Sequence, residues 1–526
     1  MTTPTRILPP EVPLSDFEQT LGELREAVGP AWVFHEEPRL TGYQDHFAIL
    51  EPALRAPSAA VAPANVEELQ RVLSVARKRR IPLWVVSTGR NLAYGAAAPR
   101  KAGCIVLDLK RMNRILEVNE KHAYAVVEPG VSYFDLYNHL QKIGSKLWID
   151  CAAPGWGGVM GNLMDRGVGY TPYGEHFMWQ CGMQVLLADG TVVETGMGGQ
   201  PGSVAAHTYR YGRGPWVDGM FTQANFGIVT RLGIQLMPEP PGYRPYLVTF
   251  PEEDDVGQVT DILRPLKLNL LIPNAAVTVE LNLEASVAVS RAQYFSGEGP
   301  LPDSVRRKIM ADLNVGMWNF YGALYGPERV MDNNWKVIEE SFAQVKGARF
   351  FFEKDRAGEP AFGYRAKLMR GIPNMTEFGI LNWMPNGAHV GFSPMAAVDG
   401  NTALAQYHLA RDLAHKYGFD YTGEYIVGWR DMHHVFVIFY SRDNADQKKR
   451  VYELMNAMID DAAARGYGEY RTHLDFMDRI AGTYNWNDAA LMRVNQRIKD
   501  ALDPLGILAP GKSGIWPAAL RGIPQP

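Results

Sequence analysis

The residues predict an α+β protein built in two domains. Amphipathic stretches alternate with hairpin-like apolar runs, without the regular strand–helix repeat of a doubly wound parallel sheet. The chain has 526 residues, 46% apolar and 21% charged, which suits roughly two to four packed units. A proline-rich stretch, MPEPPGYRP at 237–245, forbids helix and disfavours a central strand, so it marks the best boundary.

The elements follow in order. Phe17, Leu21, Leu24 and Val28 lie on one helical face, with Ser15 and Glu18 as an expected capping box and Gly29-Pro30 as the stop. Asn65 and Glu68 open a second helix whose face is Leu69, Val72, Leu73 and Ala76. Arg77 to Arg80 complement the negative end of its dipole, so that basic run reads as a cap and not as a nucleic-acid patch. Pro82 breaks the helix, and LWVVS, 83–87, reads as a buried strand feeding a loop with glycines at 89 and 95. CIVLDL, ILEVN and YAVVEPG read as strands, a helix is expected from about Ser132, and Asp189-Gly190 closes a hairpin. Long helical patterns and strands such as HVFVIFY fill the region from the proline boundary to about 467.

Composition excludes several function classes. Fifty-three basic against 57 acidic residues leave a net charge of -4, with no broad attraction for nucleic acid or anionic lipid. Cys104, Cys151 and Cys181 fit neither a disulfide framework nor a zinc motif, so free buried thiols are expected. The leader MTTPTRILPPEVPLSDFE carries four prolines and no apolar core, unlike a secretory signal. The apolar segment 268–289 contains Asn, Pro and Glu, so no membrane span is expected, and the expected location is cytoplasmic.

Several motifs need weighing against simpler readings. GILAPGKS, 506–513, matches the Walker A pattern, but only 13 residues follow Ser513 and Pro517 interrupts them. A loop in which Lys512 meets another ligand fits better. GWGGVMG at 155–161 and GMGGQPG at 196–202 both miss the third glycine of a dinucleotide fingerprint. Glycine is nevertheless dense between 89 and 233, as close approach to a bulky ligand or simple turns would require. His433 and His434 are adjacent on an expected strand, point to opposite faces, and cannot share one ion, so no metal is expected. His389 alone reads as an ordinary core or turn histidine. Tyr470 and Arg471 in GYGEYRTH, with Tyr94 after the first strand, offer two hydroxyls and a guanidinium that would favour a phenolate, although such clusters are more often structural.

Six stretches, in order, resemble the vanillyl-alcohol oxidase and para-cresol dehydrogenase family of flavoproteins. They are VSTGRNLAYGAAAPR (86–100), RGVGYTPYGEHFMW (166–179), FTQANFGIVT (221–230), NGAHVGFSP (386–394), GYGEYRTH (466–473) and DPLGILAPGKSGIWP (503–517). The resemblance implies a two-domain α+β FAD-binding fold: a flavin domain from 1–241 and 468–526, with a substrate-capping domain, 242–467, between. It implies that Ser87, Thr88, Gly89, Arg90 and Asn91 hold the FAD pyrophosphate, and that Gly158, Asn162, Gly169, Val229 and Lys512 line the rest. His389 matches the residue linked covalently to the flavin, Tyr94, Tyr470 and Arg471 the trio that binds substrate as a phenolate, and Tyr170 another aromatic of the cavity.

The implied chemistry is oxidation of para-alkyl- or para-allylphenols and 4-hydroxybenzyl alcohols. A benzylic hydride leaves the bound phenolate for flavin N5, a quinone methide remains, and O2 reoxidises the flavin to give H2O2. A cytochrome-linked dehydrogenase and a phenol-binding flavoprotein without turnover are the alternatives. The resemblance also implies a homodimer. Oxidase relatives carry a Pro-Asp pair where DCAAPGWGG places Ala152 and Ala153, and Asp150 is expected to face away. Without that carboxylate, proton loss to an alkene is expected to compete with water addition.

Overall fold

The computed structural model describes residues 7–523. Residues 1–6 of the proline-bearing leader and 524–526, which belong to the expected range 1–241 and 468–526, lie outside it.

The first helix, Leu14–Val28, buries Phe17, Leu21, Leu24 and Val28 as expected, but it opens differently. Pro13 is the N-cap, with φ near -63° already close to helical, and its carbonyl accepts from the Asp16 and Phe17 amides. The Ser15 hydroxyl turns to Asp16 instead of capping. In the second helix, Val66–Arg79, the Asn65 side chain accepts from the Glu68 amide, and Arg80 ends it in the left-handed region. The helix Tyr133–Lys142 opens with a reciprocal Ser132–Asp135 capping box.

Three sheets position the site. A four-stranded sheet runs Val33–Phe34, Ala59–Val61, Ile105–Asp108, Leu83–Val86, and its last three strands are parallel. The helix Val66–Arg79 serves as the crossover between Ala59–Val61 and Leu83–Val86, which gives this sheet a parallel core within the α+β fold. An antiparallel five-stranded sheet follows, in the order Ile115–Asn119, Tyr124–Val127, Ile228–Gln235, Gln180–Leu186, Val192–Glu194. Its outer pair closes over Asp189-Gly190, where Asp189 accepts the Thr191 amide. A large antiparallel sheet is drawn wholly from residues 243–441, with Gly387–Phe392 at one edge beside Asp431–Ser441. His433 and His434 point to opposite faces of Asp431–Ser441: His433 packs on Tyr470, whereas His434 meets Tyr421.

The chain's late residues return to its early ones. Leu83 and residues 507–509 exchange backbone hydrogen bonds of 2.7 Å, so the segment near the carboxyl end extends the first parallel sheet. Lys499 locks this return: its ammonium donates to the Asn225 carbonyl (2.8 Å), the Leu508 carbonyl (2.7 Å) and Asp503 (2.6 Å). Asp503 accepts the Ile507 and Leu508 amides in turn, and Asn225 donates to the Ala509 and Ile515 carbonyls. The GKS loop leads into a short turn, Lys512–Gly514, and not into a helix, so it lacks P-loop geometry. Cys104, Cys151 and Cys181 are buried and unpaired. No helix among the described residues is long and apolar enough to cross a membrane.

Lys499 and Asp503 expose 0% and 1% of their side chains, so Lys499→Met strands a carboxylate in the interior. Removing one partner of such a pair costs about 3–5 kcal/mol. Thermal denaturation is expected to show a lowered midpoint for Lys499→Met.

Candidate functional site

One cavity of about 440 Å³ collects every residue singled out above: Ser87 to Asn91, Tyr94, Gly158, Asn162, Gly169, Tyr170, Val229, His389, Tyr470, Arg471 and Lys512 all line it. Its walls come from distant parts of the chain, which the sheets described above bring together.

The loop Ser87–Asn91 leaves the parallel strand Leu83–Val86 at its carboxyl end, where ligands of parallel sheets gather. Gly89 has φ of 65°, and a Cβ there would stand 2.9 Å from the Ala97 methyl, so the loop needs glycine at that point. Arg90 donates to the Trp156 carbonyl at 2.9 Å and thereby ties this loop to the glycine-rich segment that follows. A Cβ on Gly169 would fall 1.4 Å from an Asp150 oxygen. Asp150 is committed there: it holds His176 Nε2 at 2.6 Å and the Thr171 amide at 2.7 Å, while His176 Nδ1 meets Asn162 Oδ1 at 2.7 Å. As expected, Asp150 does not line the cavity; Ala152 and Ala153 do.

At one pole, Arg471 packs its guanidinium 4.3 Å from the Tyr94 ring centre and 5.4 Å from that of Tyr470. Nη2 donates to the Tyr94 hydroxyl at 3.3 Å, and Nε is buried without a partner. Arg471 makes no salt bridge with the carboxylates of the described residues; Asp165, the acidic group in its field, bonds Lys512 at 2.8 Å. Burial works against its charge, but the Tyr470 and Tyr94 oxygens and Asp165 outweigh that, so it stays a cation. Burial pushes the Tyr470 hydroxyl up to about 12, which keeps it a neutral donor. Gln223 braces this pole by donating to the Tyr470 carbonyl at 2.7 Å.

A second polar group escaped the sequence reading. Glu377 and Glu424 line the cavity beside Tyr170, Tyr364 and Arg365. Arg365 is held by Glu284 at 2.7 Å, and Glu284 also accepts the Tyr321 hydroxyl. Burial raises both cavity carboxyls, Glu424 to about 7. Glu424 left a detectable signal, as the charged residue of the strand Gly423–Val427. Glu377 lies on a 3-10 helix, Thr376–Trp383, with no amphipathic period to mark it.

His389 projects from the edge strand Gly387–Phe392 into the cavity between the rings of Phe47 (5.6 Å) and Phe439 (6.0 Å). Burial lowers its pKa to about 4, so the imidazole is neutral, and Nδ1 is buried without a partner. An orphaned neutral nitrogen, a glycine loop at a strand's carboxyl end and a lysine at the far wall form a donor set that fits a flavin dinucleotide.

Comparison with known proteins agrees with this geometry. Residues 57–196 match the FAD binding domain family and residues 282–513 the C-terminal domain of FAD linked oxidases. The 4-cresol dehydrogenase [hydroxylating] flavoprotein subunit of Pseudomonas putida is 42% identical over 97% of this chain and 98% of its own. Among solved structures, 4-ethylphenol oxidase from Gulosibacter chungangensis aligns with a TM-score of 0.96 at 40% identity, covering 98% of this chain and 100% of that one. A p-cresol methylhydroxylase structure aligns at 0.95 with 42% identity, covering 97% and 99%. With its two-domain mixed fold, its FAD-binding domain and this likeness along nearly its whole length, the chain belongs to the vanillyl-alcohol oxidase family of FAD-linked oxidoreductases.

Proposed function

We propose that this protein oxidises para-substituted phenols, among them 4-alkylphenols, 4-allylphenols and 4-hydroxybenzyl alcohols, and passes the electrons to O2 with release of H2O2. The observation that carries the reading is Arg471, an interior guanidinium without a carboxylate, flanked by the hydroxyl-bearing rings of Tyr94 and Tyr470. Such a pole is complementary to a small anion with a flat body. A phenol oxygen of ordinary pKa about 10 becomes ionised there because a cation and two hydroxyls stabilise the charged form. The phenolate then pushes electron density through its ring and weakens the benzylic C–H bond opposite. FAD, when bound, supplies the acceptor for the hydride that leaves.

The range 242–467, which contributes the large sheet, acts as the substrate cap over an FAD domain of 1–241 and 468–526. It supplies Glu377, Glu424 and Tyr170's neighbours Tyr364 and Arg365 around the para substituent. Ala152 and Ala153 bring no carboxylate, so Glu424, poised near neutrality, is the proton acceptor for water adding to the quinone methide. In this reading His389 tethers the flavin, because its neutral imidazole offers an unpartnered Nδ1 as nucleophile. A cytochrome subunit as electron acceptor is the second reading, favoured by the likeness to the 4-cresol dehydrogenase flavoprotein subunit.

Four outcomes are expected. Without oxygen, 4-ethylphenol bleaches the flavin, and in air peroxide forms in step with phenol consumed. Arg471→Met slows the bleaching by roughly 10²–10³-fold, the loss typical of a preorganised charge stabiliser; unchanged bleaching overturns the phenolate pole, and oxidation without peroxide favours the cytochrome reading. Acid precipitation leaves flavin with the wild-type polypeptide and releases it from His389→Ala; free flavin from both removes the tether. Alcohol formation from 4-ethylphenol rises as pH passes about 7, where Glu424 ionises, and Glu424→Gln abolishes that limb and shifts chromatographed product toward the alkene. A product ratio indifferent to both pH and this substitution excludes Glu424 as the acceptor.

A further inference from the structure

Behind the cavity wall, a buried ionic chain touches both halves of the site. His473 follows Tyr470 and Arg471 by three and two residues along the same segment. Its Nε2 lies 3.0 Å from Asp45 Oδ2, and its Nδ1 accepts the Asp475 amide at 3.2 Å with Asp475 Oδ2 at 3.5 Å. Asp475 takes Arg55 Nε at 2.8 Å. The four side chains are no more than 4% exposed. Burial alone would drive His473 neutral, but Asp45 and Asp475 outweigh burial and the opposing Arg55, and raise its pKa above the ordinary value.

Asp45 also reaches the other way. Its second oxygen accepts the Phe47 amide at 2.9 Å, and the Phe47 carbonyl accepts the Tyr440 hydroxyl. The Phe47 ring lies against His389 at 5.6 Å, and Tyr440 pairs in register with Ala388, the neighbour of His389. The three residues Asp45 to Phe47 therefore span from the segment that carries Arg471 to the strand that carries His389. None of Asp45, His473 and Asp475 lines the cavity.

Packing alone does not require charges at this place, since a well-packed apolar substitute for a buried ion pair is often as stable or more so. What a carboxylate–imidazole hydrogen bond adds is a fixed length and direction. We infer that Asp45 and His473 are positioning residues, a strut that sets the separation of the Arg471 guanidinium from the His389 imidazole. In the phenolate reading above, on which this rests, that separation fixes how close the benzylic carbon comes to the flavin.

The test uses the holoprotein and the variants Asp45→Asn and His473→Gln. Asp45→Asn keeps the shape and the bond to the Phe47 amide while removing the charge, so it reports even if His473→Gln folds poorly. Two quantities are read beside the thermal midpoint: the anaerobic rate of flavin reduction by 4-ethylphenol, and the phenolate fraction of bound 4-fluorophenol, from its ultraviolet difference spectrum. Because a misplacement near 1 Å costs about 10²-fold in rate, reduction is expected to slow roughly 10- to 100-fold in either variant. The bound phenol is expected to lose phenolate character, which a general loss of stability would not produce. The double variant is expected to be no slower than the worse single one, since both break the same contact. Variants that reduce and ionise like wild type overturn the strut while leaving the phenol reading intact. A wild type that 4-ethylphenol does not reduce overturns that reading, and the strut falls with it.

Discussion

A cation held in a protein interior without a counter-ion is costly, and Arg471 carries that cost at the wall of the cavity. Arg471 sits among two phenol rings, a brace from Gln223 to its neighbour's carbonyl, and an Asp165 already engaged by Lys512. Its field is open toward the cavity. Around it the chain assembles a wall from residues near 90, 160, 225, 390, 470 and 510, which explains why three sheets and a long return of the chain are needed to build one pocket.

The two polar groups of the cavity divide the labour. Tyr470's electrostatic surroundings are Arg471, Tyr94, Glu469 and Asp165, whereas those of Tyr170 and Tyr364 are Glu377, Glu424 and Arg365. One group is cationic, and the other holds carboxyls whose pKa values burial raises. In the proposed reading, their separation lets a phenol oxygen be ionised at one end while a proton from water is accepted at the other.

Much of this was legible in the residues because local chemistry dictated it. Asn65 and Ser132 cap helices for reasons that need only three neighbouring positions, and Asp189-Gly190 dictates its own turn. The glycine-bearing loop after Leu83–Val86 and the Tyr-Arg pair at 470–471 were visible as chemistry waiting for a ligand. What stayed hidden depends on pairing across the chain. The parallel order of Ala59–Val61, Ile105–Asp108 and Leu83–Val86 has no period of its own. Glu377 becomes a cavity residue only because the 3-10 run Thr376–Trp383 is brought to the cavity wall. Ser15 misled because Pro13, two residues earlier, had already set the backbone for a helix start.

The knot at Lys499 bears on the order of events during synthesis. Leu508, Ala509 and Lys512 form part of the same wall as Ser87 and Thr88, yet a ribosome makes them more than 400 residues later. Until that stretch emerges and docks beside Leu83, the nascent polypeptide presents a groove with one side open. A chain interrupted shortly before residue 500 would carry most of the architecture but lack the Leu508, Ala509 and Lys512 part of the cavity wall.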